Sequence, residues 1–285
     1  MGCPGALPGP VHLVYVLSLG RAAGTHGRAD GETVMDEGQP PAPPARCADC
    51  GIRRLAMFRP FGPQQLAEVQ RLRSAIRRAP PGTELMRHSA HDAPLMTIYA
   101  GWAFSHTTSD DGARQILDFH LPGDLVGAEH LAVKGTDTLV EALTAVSACV
   151  FPRRKVLAEM EHNPALSASI AWLLARDEAM LHERLFSLGR RSAEERLAHL
   201  ALELAARIRL RRRVDVGGPL PFPPTHRHLA DALGLSAEAV SRAATRLRAH
   251  GLEQIARGVL IIRDPDRLAA LCGWRDEYLV PREML

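Results

Sequence analysis

Between Thr225 and Gly251 the chain places a small residue, a glycine and a set of apolar side chains at intervals that leave little freedom in how it folds. Thr225, behind Pro223 and Pro224, suits the N-cap of a short helix. Leu229 and Leu233 share one face of that helix, and Ala230 is small enough for another helix to approach closely. Gly234 can take the left-handed conformation that ends a helix. Leu235 plugs the turn, and Ser236 caps a second helix predicted to run to about Arg248, with Val240, Ala243, Ala244 and Leu247 as its buried stripe. This is the spacing of a helix-turn-helix. A generic helical hairpin is the alternative that spacing alone leaves open.

The exposed face of the second helix narrows the choice. Glu238, Ser241 and Arg242 fall within about 100° of one another on its first turns, the part a recognition helix presents to base edges. Arginine can pair bidentately with guanine, glutamate can accept from cytosine N4, and serine suits either kind of base. An intrahelical Glu238–Arg242 ion pair on a solvated face is compatible with the same spacing. After Gly251, the run to Ile262 reads as a two-stranded hairpin turning at Arg257-Gly258, a wing beside the helices. Arg246, Arg248 and Arg257 then become candidate phosphate contacts to double-stranded DNA, and Thr225 is a further candidate DNA-binding residue. Residues 192–273 hold 13 Arg against nine Asp and Glu, so the electropositive end of the chain is the end carrying this motif. The excess of Arg over Lys, whose only members are Lys134 and Lys155, carries no inference of its own.

Upstream the texture differs. Leu95–Ala100, Trp102–His106, Arg114–Phe119 and Thr138–Phe151 read as strands separated by turns at Gly101, Asp110-Asp111-Gly112 and Pro122-Gly123-Asp124. Short strands at this spacing predict a small antiparallel barrel or roll. Beyond Pro164, Ile170, Leu174, Asp177, Leu181, Arg184 and Leu188 recur in alternating steps of four and three, a heptad-like seam on a long helix. It reads as a dimer helix weakened by Asp177 and Arg184, or else as a helix packed on its own domain. A further helix begins at Ser192, where Glu195 completes a capping box, and is predicted to run to Arg211–Arg213.

Residues 1–46 are rich in glycine and proline, including the run Gln-Pro-Pro-Ala-Pro-Pro that ends at Pro44, and read as a disordered extension. Met35 stands as an alternative to Met1 as the true start. No stretch approaches the roughly 18 apolar residues that span a bilayer, and Val11–Leu19 lacks the preceding basic residues of a secretory signal. Five cysteines in 285 residues make no disulfide scaffold. The expectation is a cytoplasmic protein with no membrane partner. Cys47-x-x-Cys50 could serve thiol chemistry, but a thiol oxidoreductase of the thioredoxin kind needs that pair opening a helix after a strand. No nucleophile–base–acid set or phosphate-cradling glycine loop is present, so the chain is not read as an enzyme.

The order of roll, long helix, Ala193-Glu194-Glu195-Arg196-Leu197 and winged helix-turn-helix resembles the Crp/Fnr family of bacterial transcription regulators. Phe119-His120-Leu121-Pro122-Gly123-Asp124-Leu125-Val126-Gly127 is similar to the family's β-roll turn, and Glu238-Ala239-Val240-Ser241-Arg242 to the recognition helix of its Fnr/FixK branch. The resemblance covers residues 47–274. It implies an α+β fold: a cyclic-nucleotide-binding-like β-roll sensor over 47–160, a dimerisation helix over 161–191, a winged helix-turn-helix over 192–274 and a tail over 275–285. It further implies a homodimer on a TTGAT…ATCAA-like inverted repeat that contacts RNA polymerase. The family's oxygen sensors hold a [4Fe–4S] cluster on four cysteines. Cys47, Cys50 and Cys149 match three of these positions, and Ala56 stands at the fourth. That leaves a cluster completed by Cys3, His88 or an outside ligand, direct thiol chemistry, a structural zinc, or vestigial thiols; Cys272 has no assigned part. Thr136-Asp137-Thr138 stands where the cAMP-binding branch has its phosphate clamp, which argues against cAMP. Haem would draw on His88, His91, His106, His120 or His130, each of which also reads as structural.

Overall fold

The computed structural model describes residues 40–54, 61–87, 92–133, 138–211 and 214–279. The expectations placed on residues 1–39, Ala56, His88, His91, Thr136, Asp137, Arg212, Arg213 and 280–285 lie outside them. A proline-rich lead-in carries short 3-10 turns at Cys47–Asp49 and Gly51–Arg54. Helix α1 (Pro63–Leu72) opens with Pro63 at its first position, and Gln65 accepts from the Gly62 amide at 2.7 Å. It buries Leu66, Val69 and Leu72.

Eight strands follow: β1 (Ala75–Ala79), β2 (Glu84–Arg87), β3 (Leu95–Ala100), β4 (Ala103–Thr108), β5 (Arg114–His120), β6 (Leu125–Val126), β7 (Leu139–Ala142) and β8 (Val146–Phe151). They form two antiparallel sheets, ordered β1-β8-β3-β6 and β2-β7-β4-β5. Met86, Met96, Ile98, Val126, Val140 and Val146 close one apolar core among them. The expected α+β roll is thus present. The single strand expected over Thr138–Phe151 is two. The Leu143 and Thr144 amides both donate to the Trp102 carbonyl, at 2.8 and 3.2 Å, and this carries the chain from one sheet to the other.

Helix α2 (Arg153–Met160) leads to the long helix α3 (Pro164–Arg190), capped by Asn163 accepting from the Leu166 amide at 3.0 Å. Helix α4 (Ala193–Arg209) has the expected reciprocal cap: Ser192 donates its amide to Glu195 at 2.6 Å and accepts from the Glu195 amide at 3.3 Å. It stops at Arg209 rather than at the arginine cluster. Strand β9 (Leu220–Phe222), helices α5 (His226–Leu233) and α6 (Ala237–Leu247), strands β10 (Leu252–Ala256) and β11 (Gly258–Ile262), and helix α7 (Pro265–Cys272) complete the chain. β9 adds a third strand to the expected wing.

One further expectation is corrected. The disordered extension was read through residue 46, but residues 40–46 are held: Ser147 donates to the Pro41 carbonyl at 2.6 Å, and Arg73 to those of Pro44 and Ala45 at 3.0 and 2.6 Å. Within the tail over 275–285, Leu279 is buried at 5% exposure, packed with Met180 and Ala206.

The outer face of β4 and β5 supplies Phe104, Ile116 and Phe119 to one continuous core with Leu197 and Leu204 of α4, Leu229 of α5 and Val240 of α6. Beside it, Arg207 of α4, 3% exposed, meets Asp118 at 3.0 Å, Asp124 at 2.9 Å and Glu203 at 3.2 Å. Arg184 of α3 shares Asp118 at 2.6 Å and Glu203 at 3.1 Å, and Arg211 shares Asp124 at 2.7 Å. Burial alone would raise the two aspartates. The surrounding guanidinium groups outweigh it and hold Asp118 and Asp124 well below the usual carboxylate range. Arg207→Ala removes the guanidinium that Asp118, Asp124 and Glu203 share, leaving them to Arg184 and Arg211, and should cost about 3 kcal/mol in a denaturant melt. Because both aspartates are depressed in the fold, their stabilisation holds above the ordinary Asp value of about 3.9 and drains away as pH falls below it. Melts across pH 5 to 2 should show that loss in the wild type and a blunted loss in Asp118→Asn.

Candidate nucleic-acid interface

The helix-turn-helix forms as its capping residues dictate. Thr225 accepts from the His228 amide at 3.3 Å, and Gly234 ends α5 in the left-handed region at φ 61°. The Leu235 amide reaches back to the Ala230 carbonyl at 3.1 Å. Ser236 then caps α6, accepting from the Ala239 amide at 3.2 Å. Val240, Ala243 and Leu247 are buried, while Ala244 is half-buried at the edge of the same core.

Glu238, Ser241, Arg242, Thr245 and Arg246 are all exposed on the opposite side of α6. Glu238 is held below its ordinary value by backbone hydrogen bonding and by Ser236, with Arg242 a smaller influence, so it presents a carboxylate at the helix start. Arg246 reaches Glu194 at 2.6 Å, an exposed pair that a phosphate can displace at little cost. Thr225 Oγ1 faces its own helix and His228 Nδ1 at 3.0 Å. The wing turns at Arg257 and Gly258, with φ of 56° and 80°. Both central residues have positive φ, the pattern of a type I′ hairpin turn, and Arg257 is exposed at its tip. Gly251 sets the wing's base: a Cβ there would meet Asp264 Cβ at 2.6 Å.

The six seam residues divide. Ile170 is 3% exposed in the core of its own chain, and Leu174 is packed at the edge of that core. Asp177 accepts from Arg176, and Arg184 turns inward to Asp118 and Glu203. Leu181 and Leu188 face outward at 47% and 36% exposure, and with them Leu185 at 66% and Phe186 at 53%. Leu185 sits one residue from the position that heptad counting assigns to Arg184, and the step Leu181, Leu185, Leu188 was available in the sequence.

Cys47 and Cys50 lie on the strap over the sheet that carries Cys149, and the three thiols are within electrostatic reach of one another. Gln70 accepts from the Cys47 amide at 2.9 Å, and Arg73 Nη1 stands 3.9 Å from Cys149 Sγ. Burial raises the Cys47 and Cys149 thiols, with Arg73 acting against it. A [4Fe–4S] cluster normally takes four thiolates. Cys47, Cys50 and Cys149 supply three, and no three His, Cys, Asp or Glu side chains among the described residues are arranged to hold a metal ion. Cys47 and Cys50 bracket a 3-10 turn rather than open an α-helix after a strand, unlike a thioredoxin-type pair. His106, His120 and His130 are buried, His106 Nε2 3.6 Å from Glu141 and His120 Nδ1 3.8 Å from Asp118, and Cys272 is buried in α7. Thr136 and Asp137, where a phosphate clamp would stand, lie outside the described residues. Arg153 spends its guanidinium on the His130 and Leu131 carbonyls at 2.6 and 3.2 Å, and Met86 packs so close that a Cβ on Gly127 would meet its sulfur at 3.0 Å.

No helix among the described residues is long and apolar enough to cross a membrane. Residues 195–271 match the Crp-like helix-turn-helix domain and residues 76–163 the cyclic nucleotide-binding domain. The chain is 30% identical over 228 residues to the nitrogen fixation regulation protein FixK of Bradyrhizobium diazoefficiens, covering 80% of this chain and 94% of that protein. It is 31% identical over 230 residues to the transcriptional activatory protein AadR of Rhodopseudomonas palustris, with 80% and 94% covered. The solved structure of FixK2 from Bradyrhizobium japonicum superposes with a TM-score of 0.61 at 26% identity, covering 69% of this chain and 96% of that one. With its roll, its winged helix-turn-helix and its exposed Glu238-Ala239-Val240-Ser241-Arg242, the chain belongs to the Crp/Fnr family of transcription regulators, in the FixK/Fnr branch.

Proposed function

We propose that two copies of this chain pair through α3 in the cytoplasm, read a TTGAT…ATCAA-type inverted repeat in double-stranded DNA, and contact RNA polymerase from that site. The observation that carries the reading is the exposed trio Glu238, Ser241 and Arg242 on the first turns of α6, held there by the Gly234 turn and the Ser236 cap. Pairing is supported by the outward apolar row Leu181, Leu185, Phe186 and Leu188 on a 27-residue helix, which leaves large hydrophobic side chains in water in a lone chain. A dimer sets two recognition helices about 34 Å apart, in successive major grooves. The linked half-sites then supply affinity that one helix lacks.

The signal rests on oxygen or redox state acting on Cys47, Cys50 and Cys149 themselves, since the donor set falls short of a four-thiolate cluster. A second reading is favoured by the burial that keeps Cys47 and Cys149 protonated and so weakly reactive. In it the regulator has no cofactor of its own, as FixK-like, and is controlled by its expression or by another ligand. A homodimeric regulator of this kind is not an enzyme.

Arg242→Ala should lose about 1–3 kcal/mol of affinity for the repeat in a gel-shift titration, with the loss centred on the guanine it reads. An undiminished affinity would remove Arg242 from the interface. Placing lysines at Leu185 and Phe186 should convert the dimer to a monomer by light scattering. A variant that stays dimeric would move the interface elsewhere. Affinity for the TTGAT…ATCAA duplex, measured on protein kept from air and then exposed to it, separates the two signal readings: loss in air supports the thiols as sensors, and indifference supports the second reading.

A further inference from the structure

Strand β5 touches the DNA-binding half of the chain at one end and the long helix at the other. At its start, Arg114 Nε and Nη2 both donate to Asp231 Oδ2 of α5, at 2.9 and 2.7 Å, with the two side chains 24% and 20% exposed. The next residue, Gln115, donates through Nε2 to the Ala232 carbonyl at 3.2 Å. That carbonyl is in the last turn of α5, where the helix has no partner of its own to offer. Arg196 of α4 does the same for the Leu233 carbonyl at 3.1 Å. The end of α5 is therefore closed from outside, by one side chain of the roll and one of α4.

The apolar side of the contact is equally specific. The Arg114 guanidinium carbon stands 5.1 Å from the centre of the Phe104 ring. Phe104, fully buried on β4, also meets the His228 ring of α5 at 5.6 Å and the His106 ring at 5.4 Å. Burial lowers both histidines, with Arg114 acting in the same direction and Asp231 and Glu141 opposing. Only Gly234, Leu235 and Ser236 separate the end of α5 from the recognition helix. A displacement of α5 is passed on to α6 with almost no slack. Four residues along the same strand, about 13 Å away, Asp118 holds Arg184 of α3.

We propose that the β4–β5 edge of the roll positions the recognition helix, with Arg114 as the positioning residue that acts through Asp231. The proposal rests on the DNA-binding reading above and adds how the aim of α6 is set.

The test uses the full chain with Arg114→Ala, Gln115→Ala, Asp231→Ala and the reciprocal swap of Arg114→Asp with Asp231→Arg. Two quantities are measured: amide hydrogen exchange over residues 226–233, and affinity for inverted repeats with the normal spacer and one lengthened by a base pair. Arg114→Ala should speed exchange in α5 and reduce discrimination between the two spacers, each by about tenfold. The swap should restore both, which a merely structural disturbance would not allow. Gln115→Ala should move both quantities in the same direction by less, and serves as the milder variant should Arg114→Ala fold poorly. Unchanged exchange and spacer preference in Arg114→Ala overturn the proposal, as does a swap that restores neither. If the wild-type chain binds no duplex, the DNA-binding reading fails and takes the recognition part of the proposal with it. The exchange result then decides the Arg114–Asp231 lock alone.

Discussion

Taking a guanidinium out of water costs several kcal/mol unless carboxylates and carbonyls replace its hydration. Arg207 makes that exchange where roll, long helix and DNA-binding half converge. Its partners arrive from β5, from the turn before β6 and from its own helix, and each is shared: Asp118 and Glu203 with Arg184, Asp124 with Arg211 and Arg176. Apolar contacts such as those of Phe119 and Leu121 with α4 would tolerate a small slide. Shared carboxylates do not, because a slide of an ångström or two leaves a charge without a partner. The network therefore contributes less to net stability than to choosing one arrangement of three parts.

The elements legible in the sequence are those whose determinants lie close together along the chain. Thr225 with His228, Ser192 with Glu195, and Gly234 with Ala230 act over three or four residues, so caps and turn could be read directly. The recognition trio was legible for the same reason, because helical geometry alone fixes which side of α6 it shares. The seam was not. Heptad spacing groups residues on a face, but whether Arg184 faces a second chain or its own is decided by Asp118, 66 residues away. Helix α1, strands β1 and β2, and the ordered start of the tail went unread. Their sides are defined by partners as remote as Val150 for Ala75 and Met180 for Leu279.

The lead-in segment shows how composition misleads. Prolines deny a segment the amide donors a strand needs, and a proline-rich run reads as unstructured on that basis. Their carbonyls remain, and Arg73 and Ser147 take those of Pro41, Pro44 and Ala45. This docking brings Cys47 and Cys50 to the sheet that carries Cys149. The same burial that orders the strap raises the Cys47 and Cys149 thiols. A protonated thiol is a poor ligand and a poor nucleophile, so ordering the site and activating it pull in opposite directions. Arg73 favours the thiolate and partly offsets that burial.

Because Phe104, Ile116 and Phe119 share one core with α4, α5 and α6, the DNA-binding half cannot swing free of the roll without exposing it. Regulation by gross release of that half would forfeit several fully buried aromatic and leucine contacts, each worth on the order of 1.5–3 kcal/mol. A small change of aim needs far less. If a shift along β5 costs each recognition helix about 1.4 kcal/mol of contact, a half-site weakens about tenfold and a paired site about a hundredfold. In the paired state proposed above, two half-sites would square whatever modest change of angle the shared core allows.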